Sequence, residues 1–373
     1  MPGTKALAAV GAVVAFACAT AATSGRASPR TVLGAGAVVA VAAQEWQLQA
    51  AHLDEVPDAV LHRAAVVKIA VIDTGADVTA PELAARVPDT WNTRTRSSDV
   101  RDVNGHGTFV ASLAAAASGD AKLLVIKSGS DGGSFTDSDE AAGIRYAVDH
   151  GAWIVNLSVG GPMTSTTERR AIRYAIDRGA LVVTAVGNDG ESGNPVEYPA
   201  ALVQPVGSDG TGGAGLAVTA STAGGRHAPF ANTGSWVSLA APGEHVLGAL
   251  SSTSSPLVFP RTALPGVHGL YGYGSGTSFA APLVAGAAAL VWAANPSLSA
   301  KQVAQMLKAT ASGNGTWTAE LGFGVVNAAA AVTLAQHTTC ACNQIAQQSD
   351  CKTYASTRSM CAPSVRRRSS IRS

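Results

Sequence analysis

The stretch "AWIVNLSVGGPMTSTTERRAIRYAIDRGALVVTAVGN", residues 152–188, reads as one complete strand–helix–strand unit. "AWIVNLSV" (152–159) is apolar without alternation, the pattern of a strand buried on both faces. "TSTTERRAIRYAIDRG" (164–179) sets Ala171, Ile172, Ala175 and Ile176 on one helical face and stops at Gly179. "ALVVTAVGN" (180–188) is a second buried strand. A helix between two such strands joins them in parallel through a right-handed crossover.

The same alternation extends outward. "VVKIAVID" (66–73) and "KLLVIK" (122–127) read as strands. "DSDEAAGIRYAVDHG" (137–151) opens with acids and closes on glycine, as a helix does. Shorter strand-like pieces, "LVQPVGS" and "LAVTAS", follow residue 200, and a further helix is expected over 299–311. Neither a linker nor a repeat interrupts 44–335. These features predict an α/β fold: a three-layer sandwich with a mostly parallel central sheet flanked by helices. Sites in such sheets form at the carboxyl ends of the strands.

Charge is unevenly spread. The 373 residues carry a net +1, but residues 1–43 contribute +3 and residues 336–373 contribute +5, so the body is acidic. An acidic body argues against nucleic acid as a partner. Residues 1–43 hold Lys5 before an apolar run, then Arg26 and Arg30 before "TVLGAGAVVAVAA". Basic, then apolar, then small is the order of an export signal. The expected location is therefore outside the cell, with an N-terminal membrane anchor as the alternative. Cys340, Cys342, Cys351 and Cys361 cluster in the basic tail, 336–373, which is otherwise expected to be disordered. In an exported chain they suggest two disulfides of undetermined pairing; zinc fits their spacing less well.

Three short stretches place reactive side chains at element ends. Asp73 closes a strand in "AVIDTGAD", and His106 lies between glycines in "NGHGTFVAS". Ser278, in "YGSGTSFAAPLVAGAAALV" (273–291), opens a long apolar helix, with Pro282 expected in its first turn. Singly, each reads as a turn former, a loop residue or a helix cap. Together they are the parts of acyl transfer: a hydroxyl nucleophile, an imidazole to take its proton, and a carboxylate to orient the imidazole.

These motifs, in the order Asp, His, Ser, resemble those of the subtilisin-like serine peptidases over about residues 44–335. The resemblance implies Asp73 as the orienting carboxylate, His106 as general base and Ser278 as nucleophile. It also implies Asn188, in "VVTAVGNDG", as an oxyanion donor beside the Ser278 N–H. The segment "NLSVGGP" would pair its extended backbone with substrate, and its Ser158, Val159 and Gly160 would line the pocket for the residue before the scissile bond. The expected partners are polypeptides, and the expected state is a monomer.

The chain departs from that family at several points. The stretch after His106 is too short for the loop that often holds calcium, so no metal and no cofactor are expected, and Glu82, in "APELAARV", reads as a solvated glutamate, with a calcium ligand as the alternative. Phe109 and Phe279 stand where His and Met are common and are expected to pack beside the site. No pro-segment of ordinary size is expected before "QEWQL", so the chain either folds unaided or relies on a separate chaperone or inhibitor chain. Asp189 and Glu197 place two carboxylates near the expected pocket, favouring a basic substrate side chain. Asn156 and Asn314 have glycosylation spacing, but Asn156 falls in a buried strand.

Competing readings are fewer. An α/β-hydrolase needs G-x-S-x-G and the order Ser, Asp, His, whereas only His337 follows Ser278. A catalytically silent binding protein or a peptide ligase on the same scaffold would share the motifs and differ in what becomes of the acyl group.

Overall fold

The computed structural model describes residues 4–6, 45–255, 259–264 and 268–338. The cysteines, and the export segment apart from residues 4–6, lie outside the described residues. In chain order the elements are β1 (Thr4–Ala6), α1 (Trp46–Ala50), α2 (Asp58–Arg63), β2 (Lys68–Asp73), β3 (Asp89–Asn92), α3 (His106–Ala117), β4 (Lys122–Lys127), β5 (Ser134–Thr136), α4 (Asp137–Asp149), β6 (Ile154–Leu157) and α5 (Thr166–Asp177). They continue with β7 (Leu181–Ala185), α6 (Ala200–Val203), β8 (Leu216–Ser221), β9 (Leu239–Pro242), β10 (Val246–Ala249), β11 (Arg261–Thr262), β12 (Tyr271–Gly274), α7 (Thr277–Ala294), α8 (Ala300–Thr310) and α9 (Ala328–His337).

Seven strands form the central sheet in the order β3-β4-β2-β6-β7-β8-β9, and every pairing in it is parallel. The predicted helices have ordered starts. Thr136 caps α4 through Asp139 N–H, Ser165 caps α5 through Glu168 N–H, and Ser299 with Gln302 forms a capping box on α8. These caps satisfy N–H groups that a helix leaves unpaired in its first turn.

The pleat divides the core in two. Ile69, Val71, Leu123 and Val125 face α3 and α7, while Ala70, Ile72, Leu124 and Ile126 face α4 and α5. Continuous apolar runs were the signature of this two-sided burial. α7 has a mean hydropathy of 1.6 over 18 residues, long and apolar enough to cross a membrane, yet 94% of it is buried inside the protein. It is the central core helix; each of its fully buried Leu and Val side chains contributes about 1.5–3 kcal/mol of apolar burial.

The chain leaves β2 toward β3 and β4 on one side and resumes with β6 on the other. The carboxyl ends of β2 and β6 therefore flank a topological switch point, where open α/β sheets form crevices. Outside the sheet, β10, β12 and β11 form a small antiparallel unit, and β1 pairs antiparallel with β5.

Candidate active site

Asp73 is the last residue of β2 and His106 the first of α3. Two glycines bring these ends together. Gly75 turns the chain with φ +111°, and a Cβ on Gly107 would lie 2.1 Å from the Gly75 carbonyl oxygen. With neither side chain in the way, His106 Nδ1 lies 2.8 Å from Asp73 Oδ1, both residues 1% exposed. A carboxylate only accepts, so Nδ1 carries the hydrogen and Nε2 keeps its lone pair. Nε2 is buried and has no hydrogen-bond partner. Asp73 Oδ1 also accepts from the Thr74 N–H at 2.7 Å.

Ser278 is the second residue of α7, whose N-cap is Gly276. The sequence placed Pro282 in the first turn; the structure places it in the second. Its missing N–H would have bonded the carbonyl four residues back, which is that of Ser278. The Ser158 hydroxyl takes the vacated role, donating to Ser278 O at 2.8 Å. In return the Ser278 hydroxyl donates to Ser158 O at 3.1 Å. It makes no hydrogen bond to His106. The His106 and Phe279 rings lie 5.5 Å apart, so the imidazole adjoins the first turn of α7.

Asn188 follows β7. Its Oδ1 accepts from the Thr277 N–H at 2.8 Å and from the Thr277 hydroxyl at 2.9 Å. The oxygen is thereby fixed, and the amide nitrogen lies toward Gly276, where an added Cβ would meet it at 3.2 Å. The Ser278 N–H belongs to the same first turn, at the positive end of the helix.

Ser158, Val159 and Gly160 continue β6 past the sheet, and Gly161 bridges antiparallel to Tyr198. That bridge brings Glu197 beneath the crevice. A Cβ on Gly160 would lie 2.3 Å from Glu197 Oε2, and one on Gly187 2.4 Å from Glu197 Oε1. Glu197 is 3% exposed. Asp189 is half-buried, with its N–H donating to Asn232 Oδ1 at 2.6 Å.

The sequence profile of the subtilase family matches residues 65–324. The chain belongs to the subtilase family. It is 34% identical over 279 residues to the thermophilic serine proteinase of Bacillus sp. strain AK1, covering 71% of this chain and 61% of that protein. Thermitase of Thermoactinomyces vulgaris is 32% identical over 278 residues, covering 71% of this chain and 88% of thermitase. Fervidolysin from Fervidobacterium pennivorans, described as a keratinolytic enzyme related to subtilisin, superposes with a TM-score of 0.64 at 27% identity. That superposition covers 79% of this chain and 46% of fervidolysin.

Around the site of this subtilase, Phe109 and Phe279 pack at 4.3 Å between ring centroids and are almost fully buried, as expected from the sequence. Asn156 is fully buried and donates to the Ser158 hydroxyl at 3.0 Å. Glu82 corrects the sequence reading: it is 6% exposed, not solvated, and accepts from the Tyr271 hydroxyl. The cause is the small cavity it shares with Glu45 and Tyr271. Burial pushes both carboxyls up, Glu45 to about 7, with the Glu82 charge adding to the effect on Glu45. Among the described residues no cluster of three His, Cys, Asp or Glu side chains could hold a metal.

Sequence reasoning missed Asp102. Its carboxylate is fully buried and accepts from four donors: the Thr74 hydroxyl (2.8 Å), Gly105 N–H (2.8 Å), Thr108 N–H (2.8 Å) and the Thr108 hydroxyl (2.6 Å). Thr74 adjoins Asp73, while Gly105 and Thr108 bracket His106, so one side chain ties both loops together. Its place four residues before His106 was the only available signal.

Proposed function

We propose that this chain is an exported serine endopeptidase that cleaves polypeptides through an acyl-enzyme. The observation that carries the reading is the buried 2.8 Å contact of His106 with Asp73, which leaves Nε2 unpartnered beside the turn bearing Ser278. Rotation about Ser278 χ1 moves the hydroxyl between staggered positions, from Ser158 O toward Nε2. His106 takes the proton as Oγ attacks the scissile carbonyl, and Asp73 stabilises the imidazolium. The developing oxyanion is met by the Asn188 amide and the Ser278 N–H. His106 then returns the proton to the leaving amine, and water, activated by the same imidazole, releases the acyl group.

The strand β5, outside the central sheet, suits an extended substrate. β5 lies against the Asp73–Thr74 corner, since a Cβ on the intervening Gly129 would touch both the Phe135 ring and Thr74. The chain's own residues 4–6 add to β5 as an antiparallel strand, the kind of pairing a peptide makes. Ser158, Val159 and Gly160 supply the second wall. The basic-then-apolar order of residues 1–43 supports export.

A fluorophosphonate probe tests the reading. It is expected to label the wild-type chain at Ser278 and to leave Ser278→Ala unlabelled, while casein hydrolysis falls on the order of 10⁶-fold in the variant. Absence of labelling in folded wild-type protein would refute it.

A further inference from the structure

We propose that Glu197 selects a basic side chain, arginine before lysine, on the residue whose carbonyl is cleaved. This assignment rests on the serine-peptidase reading and adds the class of substrate. The crevice that begins at Ser278 is walled by two diverging backbone segments, Ser158–Gly161 after β6 and Gly187–Asp189 after β7. Glu197 lies across its floor, held from below by the antiparallel bridge of Tyr198 to Gly161 and by its carbonyl, which accepts from the Ala201 N–H at 3.0 Å.

Both walls are glycine where the carboxyl touches them, Gly160 at Oε2 and Gly187 at Oε1. Any side chain at either position would displace it. The carboxyl thus occupies depth that a leucine or phenylalanine side chain would otherwise fill, and it sets two acceptor oxygens there. The segments lining the crevice, "SVGG", "GND" and "VEYP", contain Asp189 and Glu197 and no Lys, Arg or His. Glu197 has a partner of its own in the resting site, so it is oriented before substrate arrives. A guanidinium reaching down the crevice meets the carboxylate with a fork of donors, whereas an ammonium meets it as a point charge. Removed from water, such a pairing discriminates strongly against an uncharged side chain. Asp189, half-buried on the crevice rim, adds charge of the same sign near the entrance.

The test is kcat/KM on one peptide series differing only in Arg, Lys, Leu or Phe before the scissile bond. Arg is expected to exceed Leu and Phe at least tenfold, with Lys between. Benzamidine, which carries a planar amidinium, is expected to inhibit competitively. In Glu197→Gln the Arg-to-Leu ratio should fall tenfold or more, and Glu197→Asp should restore part of it. The wild-type panel and benzamidine need no variant, so misfolding of either substitution leaves the test intact. Preference for Leu or Phe, with Ser278 still labelled by fluorophosphonate, overturns the assignment of Glu197 alone. Loss of labelling in folded wild type overturns the serine-peptidase reading and takes this assignment with it.

Discussion

The hydroxyls of Ser158 and Ser278 each donate to the other residue's carbonyl oxygen, at 2.8 and 3.1 Å. The pairing follows from Pro282, which has no N–H to give the Ser278 carbonyl. Replacing Ser158 by alanine leaves that carbonyl buried without its donor, which costs about 1–3 kcal/mol. Urea denaturation of Ser158→Ala should show a lower midpoint with an unchanged slope. In Ser158→Ala combined with Pro282→Ala, the restored helical N–H should recover part of the loss. Additive losses would rule out this role for Ser158.

Asp73 fixes which nitrogen of His106 carries the hydrogen. Asn in its place can present an amide N–H to Nδ1, which favours hydrogen on Nε2 and takes away the lone pair that receives the Ser278 proton in the proposed mechanism. Asp73→Asn is expected to lower kcat about 10⁴-fold at neutral pH with the fold preserved. A drop below tenfold, measured on folded protein, would remove Asp73 from the mechanism.

Asp102 acts through other residues, since its four donors belong to the two element ends that carry Asp73 and His106. Asp102→Asn replaces one acceptor oxygen with a donor facing donors. Stability should fall by about 3 kcal/mol. Because the imidazole loses its fixed place, kcat should fall far more than KM rises. A purely structural role would lower the denaturation midpoint and leave both kinetic constants of the remaining folded protein unchanged.

The sequence made β2, β4, β6 and β7 legible because strands buried on both faces must be apolar throughout. It made α4, α5 and α8 legible because their polar faces and caps are local. The ends of Asp73, His106 and Ser278 were visible as motifs. Less legible was whatever depends on contacts across the chain. Glu82 looked like an exposed acid in "APELAARV", yet Tyr271, 189 residues on, closes over it. Pro282 looked like a first-turn proline because Ser278 was read as the cap of the helix, whereas the cap is Gly276, two residues earlier. Asp102 lies in a polar loop and resembles any turn aspartate until its four donors converge.

Asn188 has its oxygen tied to Thr277 and its nitrogen directed toward the Gly276 backbone. In the proposed mechanism Asn188→Ala removes one oxyanion donor, and it also releases the Thr277 N–H. The expected outcome is a fall in kcat of about 10²–10³ with KM little changed, because the oxyanion exists only in the transition state. Asn188→Asp keeps the oxygen that holds Thr277 but offers no amide donor, so it should lose as much activity while retaining more stability. Equal stability of the two variants would show that the Thr277 contacts contribute nothing measurable.

Glu45 makes stability depend on pH in a direction opposite to that of a salt-bridged acid. Its folded pKa is raised from 4.5 to about 7 by burial and by Glu82. Between those values the folded chain binds more protons than the unfolded one, so stability falls as pH rises through that window. The full effect of such a shift is about 3 kcal/mol, and Glu82, raised in the same cavity, acts in the same direction. Glu45→Gln keeps the shape and cannot ionise. Urea denaturation at pH 4.5, 6 and 8 should show the variant gaining on the wild type at each step, from near parity to the more stable protein. A difference constant across that range would mean that Glu45 titrates in the folded protein as it does in the unfolded chain, and that the cavity does not hold its proton.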